Sequence, residues 1–318
     1  MSVARKLTSN RVIDHAADGI AAIYNKAGKD YIAYADGDPA RPFSFEGPHG
    51  YADRQIWHLL GRELENIRLS GKTSVRLLDA GCGPGTWLRR LVVRAIELGF
   101  TDVRARGFDI ALTQVHQAQE LMQGLSEMAG VQIKFEVADL RERLPEPDAS
   151  VDLALCLYSV LSHIPAQDLS GIAREIARVT AGYFVATVRS VGSTPSAFAY
   201  PVENVRRLQL NVDRSECELE LSDGTRNAFG FRLFSAAQLR DCFGDHFTID
   251  EVRGLDLFHT RFALDPRWNP PDIPQDAGLL AELAKLEQTY ATKAEFINRA
   301  THILLGAKGK KEAKSNHR

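Results

Sequence analysis

Several functional classes are excluded by what this sequence does not contain. Its 318 residues include only four cysteines, Cys82, Cys156, Cys217 and Cys242. None forms a Cys-x-x-Cys pair or stands at zinc-finger spacing from a histidine, which argues against both a disulfide framework and a structural zinc site. No apolar run approaches the roughly 18 residues of a membrane-spanning helix. The amino terminus, "MSVARKLTSNRVIDHAADG", lacks the apolar centre of a secretory signal. A reduced, cytoplasmic location without membrane insertion is the expectation. Excess charge is missing too: 39 Lys and Arg stand against 41 Asp and Glu, a formal net charge of −2. That balance gives no general attraction to nucleic acid or to an anionic membrane. No internal repeat occurs, and the only biased stretch is the basic end of the chain, residues 309–318. It reads as a solvated, disordered tail or as a basic docking arm.

What is present is an ordinary globular composition, 44% hydrophobic and 25% charged, on a chain long enough for one large domain with additions. Short strand-like runs alternate with amphipathic helical ones from 75 to 189. "VRLLDAG" (75–81), "VRARGFD" (103–109), "VQIKFEVAD" (131–139), "VDLALCLYS" (151–159) and "GYFVATVRS" (182–190) are the strands. Between them, helical spacing places Trp87, Leu88, Leu91, Val92 and Ala95 on one face, then Val115, Ala118, Met122 and Leu125. Asp168 is a candidate cap for a helix carrying Leu169, Ile172, Ile176 and Val179. Strands separated by helices predict right-handed βαβ units and a doubly wound, mostly parallel sheet covered on both faces.

The pattern changes after residue 200. Cys217, Leu219 and Leu221 alternate with polar residues, Asp223-Gly224 supplies a turn, and Phe229, Phe231 and Leu233 alternate on the return, which predicts a hairpin. Ser235 with Gln238 matches a capping box for a helix through Phe243. Residues 247–258 and 301–309 read as two more strands. Between them the prolines of "LDPRWNPPDIPQ" (264–275) exclude regular structure, and a helical stretch follows over 277–290, able to roof a site or pack on the sheet. Ahead of residue 75 come one helix, a polar Gly/Pro-bearing segment and a second helix around "QIWHLLGRELENI".

The stretch most open to chemical reading is "LLDAGCGPGTW" (77–87). A nucleoside-triphosphate loop requires a lysine after its glycines, and Thr86 and Trp87 stand there instead. The dinucleotide fingerprint puts its third glycine at position 86, which is threonine. Asp79 adds a physical objection. A carboxylate at the end of the strand would repel a pyrophosphate, whereas it suits a ligand carrying an ammonium or sulfonium group.

These residues resemble the first motif of the class I S-adenosylmethionine-dependent methyltransferases, an acidic residue, a spacer and three alternating glycines: Asp79, Gly81, Gly83 and Gly85. Asp109, followed by Ile110, stands where that family hydrogen-bonds the two ribose hydroxyls. Asp139 in "VADL" stands where it meets the adenine amino group, with Leu140 beside the ring. "VDLALCLYSVLSHIP", with Cys156, Tyr158 and His163, resembles the fourth-strand motif that lines the methyl-transfer site. The resemblance covers about residues 70 to 190. It implies a seven-stranded Rossmann-like sheet with an antiparallel last strand, an N-terminal helical extension over 1–74, and a hairpin and helical addition within 191–308. It also implies S-adenosylmethionine as cofactor and no metal.

On that reading the acceptor is a small molecule methylated at O or N, with Tyr158 near it and His163 as a general base where the acceptor is a hydroxyl. An RNA or protein acceptor, or a non-catalytic donor-binding protein, is the alternative. "LCLY" lacks the Asn/Asp-Pro-Pro-Tyr signature of planar-amine methylation. Whether the chain is a monomer or a homodimer is open. Trp87 fits either core packing or an aromatic wall near the sulfonium. Tyr24, Tyr31, His49, Tyr51, Arg54 and Trp57 fit packing or closure of the site, and Phe198, Tyr200, Phe229, Phe231, Phe258 and Trp268 are candidates to line the acceptor pocket.

Overall fold

The computed structural model describes residues 15–27, 41–45, 49–193, 205–259 and 277–310. The expectations for Tyr31, Phe198, Tyr200, Trp268, the proline-rich stretch 264–275 and residues 311–318 lie outside the described residues. Two helices, α1 (His15–Ala27) and α2 (Gly50–Leu69), precede the first strand. Then follow β1 (Ser74–Ala80), α3 (Thr86–Glu97), β2 (Asp102–Asp109), α4 (Leu112–Ser126), β3 (Val131–Val137) and β4 (Val151–Cys156). A 3-10 turn, Val160–His163, leads to α5 (Ala166–Val179) and β5 (Thr180–Arg189). After them come β6 (Val205–Asn211), β7 (Glu216–Leu221), β8 (Arg226–Gly230) and α6 (Ala236–Gly244). The chain closes with β9 (Phe247–Leu255), α7 (Ala277–Tyr290), α8 (Ala294–Ile297) and β10 (His302–Gly309).

Seven strands form one sheet in the order β3-β2-β1-β4-β5-β10-β9. All run parallel except β10, which is antiparallel to both β5 and β9. Two-residue periodicity sends adjacent side chains to opposite faces, so each central strand feeds two cores. Leu77, Leu153 and Val185 pack with Ile56 and Leu60 of α2, Leu88 and Leu91 of α3, and Val115 of α4. Their neighbours Leu78, Ala154 and Phe184 pack on the other side with Ile172 and Ile176 of α5 and Phe243 of α6. The doubly wound reading holds, including the reversed strand near the carboxyl end.

A second, three-stranded antiparallel sheet, β6-β7-β8, packs Cys217, Leu219, Phe229 and Phe231 against Ile20 and Ile23 of α1. The N-terminal helix and the hairpin therefore make one small apolar lobe. The hairpin closes as expected, with Leu221 N donating to Thr225 O at 2.9 Å and Gly224 at φ +84°. β6 is an addition to the sequence reading. Its adjacent arginines, Arg206 and Arg207, break the alternation, and they are tolerated because Arg206 pairs with Glu220 on β7 at 3.2 Å and both are on the solvated side.

Two expectations are corrected, and of the two placements open for 277–290 the described residues show the packed one. Asp168 is not the cap of α5: Pro165 occupies that position and Asp168 lies in the first turn, its N–H donating to Pro165 O at 3.0 Å. The basic tail starts later than residue 309, because Gly309 still pairs with Phe247 across the sheet. Helix α7 does not roof the cleft described below. It packs at the end of β9, where Glu287 accepts the N–H groups of Phe258 and His259 at 2.8 and 2.9 Å. The capping box at Ser235 and Gln238 is present with both reciprocal bonds. No helix among the described residues is long and apolar enough to cross a membrane.

Candidate active site

The turn after β1 is built by its glycines. Gly81, Gly83 and Gly85 have φ of +77°, +50° and +81°, a region that residues with a Cβ rarely adopt. Gly81 N and Cys82 N both donate to Phe108 O at 2.9 Å, which ties the turn to the end of β2. A Cβ on Gly81 would collide with the Val160 side chain, and one on Gly85 would stand 2.9 Å from Ala118 Cβ. Two of the three glycines thus serve the packing of the turn itself.

Gly83 faces a carboxylate. Asp109, at the last position of β2, accepts Gly83 N through Oδ2 and Ala111 N through Oδ1, each at 2.9 Å. Burial raises the pKa of this carboxyl, and the backbone amides of Ala111, Gly83 and Ile110 oppose the rise. Beyond β3, Asp139 is gripped by its own neighbour: Arg141 donates from Nε at 3.0 and 3.1 Å and from Nη2 at 2.6 Å, and its backbone N–H adds a bond of 2.9 Å. Nothing at Asp139 in the sequence pattern announced this clamp.

Asp79, Gly81, Gly83, Asp109, Ile110, Asp139 and Leu140 all line one cleft at the carboxyl ends of β1, β2 and β3, with an empty volume of about 1480 Å³, its open mouth included. Gly85 is in the same turn but outside the lining. Cys156 is a second departure: it is wholly buried with Leu78 and Ala154 on the α5 face, since its position in β4 turns the side chain away from the cleft. Burial, with the nearby Asp79 carboxylate second, pushes the thiols of Cys82 and Cys156 up, so neither is a ready nucleophile.

Tyr158 and Ser159 adopt φ of +47° and +70° as the chain leaves β4, which turns Tyr158 into the cleft. The Tyr158 hydroxyl donates to the buried carboxylate of Asp53 on α2, and its backbone N–H donates to Thr187 Oγ1 at 2.7 Å. Trp87 is a core residue that also reaches the cleft. It is buried in the α3 core, with the guanidinium of Arg90 4.6 Å above its ring, and its edge still forms part of the cleft wall. His163 lies in the opposite wall. Its Nδ1 donates to Gly230 O at 3.0 Å and its Nε2 accepts the Tyr24 hydroxyl at 3.1 Å. Burial lowers its pKa to about 4, so the ring is neutral with its lone pair engaged by Tyr24. A proton-accepting role for His163 therefore runs through the Tyr24 hydroxyl.

Nothing in the sequence signalled Asp256 and His302, which join His49 in a polar group of the cleft. His302, the first residue of β10, pairs across the sheet with Arg189 at the end of β5 and with Leu255 at the end of β9. That register sets the buried Asp256, at φ +57°, beside it. His49, entering α2, brings Nδ1 to 3.7 Å from Asp256 Oδ2 and its ring centroid to 5.6 Å from that of His302. His49 and His302 both line the cleft.

The cleft can be tested for fit to a cationic nucleoside. Among the described residues three carboxylates line it, Asp79, Asp109 and Asp139, against one guanidinium, Arg141, which Asp139 already engages. The field is negative, hostile to a diphosphate and favourable to a ligand carrying sulfonium and ammonium charges, so the residues fit the methyl donor.

Comparison with known proteins points the same way. Residues 77–182 match the family model described as a methyltransferase domain. Nothing among curated proteins matches the sequence. Among solved structures, an S-adenosylmethionine-dependent methyltransferase from Clostridium acetobutylicum aligns at 12% identity over 91% of this chain and 99% of its own, with a TM-score of 0.52. A protein from Pyrococcus horikoshii aligns at 15% identity over 89% of this chain and 99% of its own, with a TM-score of 0.49. The matched domain, the strand order and the carboxylate-lined glycine turn agree: residues 77–182 carry a methyltransferase domain, set in a sheet with the Rossmann-like methyltransferase fold.

Proposed function

We propose that the chain transfers the methyl group of S-adenosylmethionine to an oxygen or nitrogen atom of a small-molecule acceptor. The observation that carries this reading is the continuity of the cleft. Its carboxylate-lined half, at β1 to β3, opens into a half walled by Tyr24, Trp87, Tyr158, His163, His49 and His302. The lobe of α1 and the small sheet closes over that second half. Asn25 binds Thr113 at the start of α4 through both N–H and Oγ1 at 3.0 Å, which fastens the lobe to the core. Such an enclosure suits a small acceptor better than a polymer.

In this reading residues 1–74 are the cap, 75–190 hold the donor, and 191–310 complete the sheet and supply the hairpin, whose Phe229 and Phe231 pack behind His163 and, like Phe258, stand outside the cleft lining where they were expected. Asp109 would hold the ribose hydroxyls, Asp139 the adenine amino group between Ile110 and Leu140, and Asp79 the cationic methionine end. When bound, the cofactor supplies a methyl group already activated by its positive sulfur. The protein's task is to align the acceptor with the C–S bond and to exclude water. Tyr158, held by Asp53, presents a fixed hydroxyl and aromatic face to the acceptor, and Trp87 offers a π surface to the sulfonium.

Isothermal titration with S-adenosylmethionine, S-adenosylhomocysteine and NAD, followed by an S-adenosylhomocysteine-release screen over small hydroxyl and amine acceptors, tests the proposal. Binding of both sulfur nucleosides but not NAD, and turnover with a small acceptor, is expected. Methyl incorporation into RNA or protein alone would overturn it.

A further inference from the structure

We propose that His49, oriented by Asp256, is the general base that removes the proton of a hydroxyl acceptor during methyl transfer. This deepens the functional reading above and rests on it. Three observations carry it. Asp256 is wholly buried, and neither of its carboxylate oxygens accepts a hydrogen bond. A buried carboxylate in that state is strongly disfavoured unless a cation or donor faces it. The group that faces it is His49 Nδ1, at 3.7 Å from Oδ2, a separation that a small ring rotation closes. Such bonds are often long before substrates bind. Finally, His49 lines the cleft beside Tyr158, with ring centroids 6.0 Å apart, at the end opposite the adenine-binding carboxylate.

With its Nδ1 proton directed at Asp256, the imidazole carries its lone pair on Nε2, the atom that can receive a proton from the cleft. Asp256 holds the tautomer and stabilises the imidazolium that forms, as an orienting carboxylate does in hydrolytic triads. The acceptor's O–H bond breaks and its proton passes to Nε2. The oxygen's electron pair forms the new bond to the methyl carbon, and the C–S bonding pair stays on sulfur.

His302 and Arg189 decide between this reading and a metal centre. Two imidazoles and a carboxylate with ligand atoms within 4.8 Å of one another look like the ligand set of a transition metal. However, the buried guanidinium of Arg189 places Nη1 3.3 Å from His302 Nε2. Arginine only donates, so His302 keeps its proton on Nδ1 and presents no lone pair there, and the fixed positive charge behind it repels a metal ion. Burial, Arg189 and His49 together hold the His302 pKa well below the usual value, so it stays neutral. Among the described residues the ionisable groups around His49 include Asp256, the neutral His302 with Arg189 behind it, and Tyr158 with Asp53, while His259, Glu287 and Tyr51 also face Asp256.

Nitrogen-15 histidine spectra of the full chain, saturated with S-adenosylhomocysteine, provide a test that needs no known acceptor. His49 should carry its proton on Nδ1, and Asp256→Leu, which removes the acceptor, should let the Nε2-protonated tautomer appear. With a hydroxyl acceptor found by the screen, His49→Gln should lower kcat by about 10²–10⁴. The residual rate should climb with hydroxide concentration, while an amine acceptor should be far less affected. An Nε2-protonated His49 in the unmodified chain, or full activity of His49→Gln on a hydroxyl acceptor, would overturn the assignment. So would joint shifts of the His49 and His302 signals with stoichiometric zinc. S-adenosylhomocysteine binding to the unmodified chain reports separately on the donor site, so its loss would indict the functional reading rather than the base.

Discussion

Replacing Asp109 with alanine separates the two jobs this carboxylate would have. In the fold it terminates the Gly83 and Ala111 amides, both at 2.9 Å. In the donor complex it would also accept both ribose hydroxyls. Hydrogen bonds to a charged group contribute about 1.5–3 kcal/mol each, and water entering the vacated space restores part of that. A net loss of about 3 kcal/mol corresponds to a rise in Kd of roughly 150-fold. Isothermal titration with S-adenosylhomocysteine at pH 7.5 measures it directly, and a thermal melt of the unliganded variant measures the turn. A Kd within threefold of the parent, accompanied by a lowered Tm, would refute the reasoning, because it would make Asp109 a turn-organising residue only. The pH dependence sharpens the contrast. Burial raises this carboxyl above its ordinary pKa, so the fold favours the protonated form, and its contribution to stability grows as pH falls. Donor affinity needs the ionised form and should fall over the same window, which lies between the carboxyl's ordinary pKa and its raised one. The two curves should run in opposite directions.

Gly81→Ala places a Cβ at φ +77° against the Val160 side chain. It should cost more than the roughly 1–2 kcal/mol of the backbone conformation alone, and Val160→Ala in the same chain should recover the excess in a thermal melt. His163 has a pKa lowered to about 4, below its unfolded value of about 6.5, so on acidification the unfolded chain takes up the proton first. Stability should be full above pH 6.5 and decline by up to about 3 kcal/mol toward pH 4; equal acid slopes for the parent and His163→Gln, followed by urea unfolding, would contradict this. Ser235→Ala removes the capping box of α6 and should lower stability by about 1 kcal/mol with donor affinity unchanged.

The parallel core was legible because its signals are local. Each strand is a short apolar run, each helix shows its own 3.6-residue stripe, and the order of the two is enough to imply a doubly wound sheet. The hairpin and the Ser235 box carry their own turn and cap chemistry. Where reading failed, the cause was also physical. β6 hides its alternation behind Arg206 and Arg207, which are acceptable only because Glu220 waits on the neighbouring strand. Asp168 is a good cap residue displaced by Pro165, whose fixed φ starts the helix earlier. Cys156 sits in the right motif but on the wrong face of β4, a distinction that a period of two makes absolute and that a motif match does not register.

The same division runs through the site. The donor half is assembled from strand ends and the turns that follow them, so Asp79, Asp109 and Asp139 announce themselves by position. The acceptor half is assembled by register. His49 stood in the sequence only as one of several residues open to packing or closure, Asp256 and His302 carried no signal, and the pairing of His302 with both Arg189 and Leu255 puts the three together. Each contact there also has a reason that no single residue reveals. Asp256 is faced by the imidazole of His49, at the N-cap of α2, instead of by backbone amides, and Arg189 determines which nitrogen of His302 bears the proton. Moving Arg189 would therefore change the chemistry of a histidine that it merely touches. Arg189→Met, which keeps the bulk and removes the donor, should let His302 adopt the other tautomer and raise zinc affinity at the cluster. If zinc binding to the Met variant equals that of the parent, the guanidinium is not what keeps this site a base instead of a metal centre.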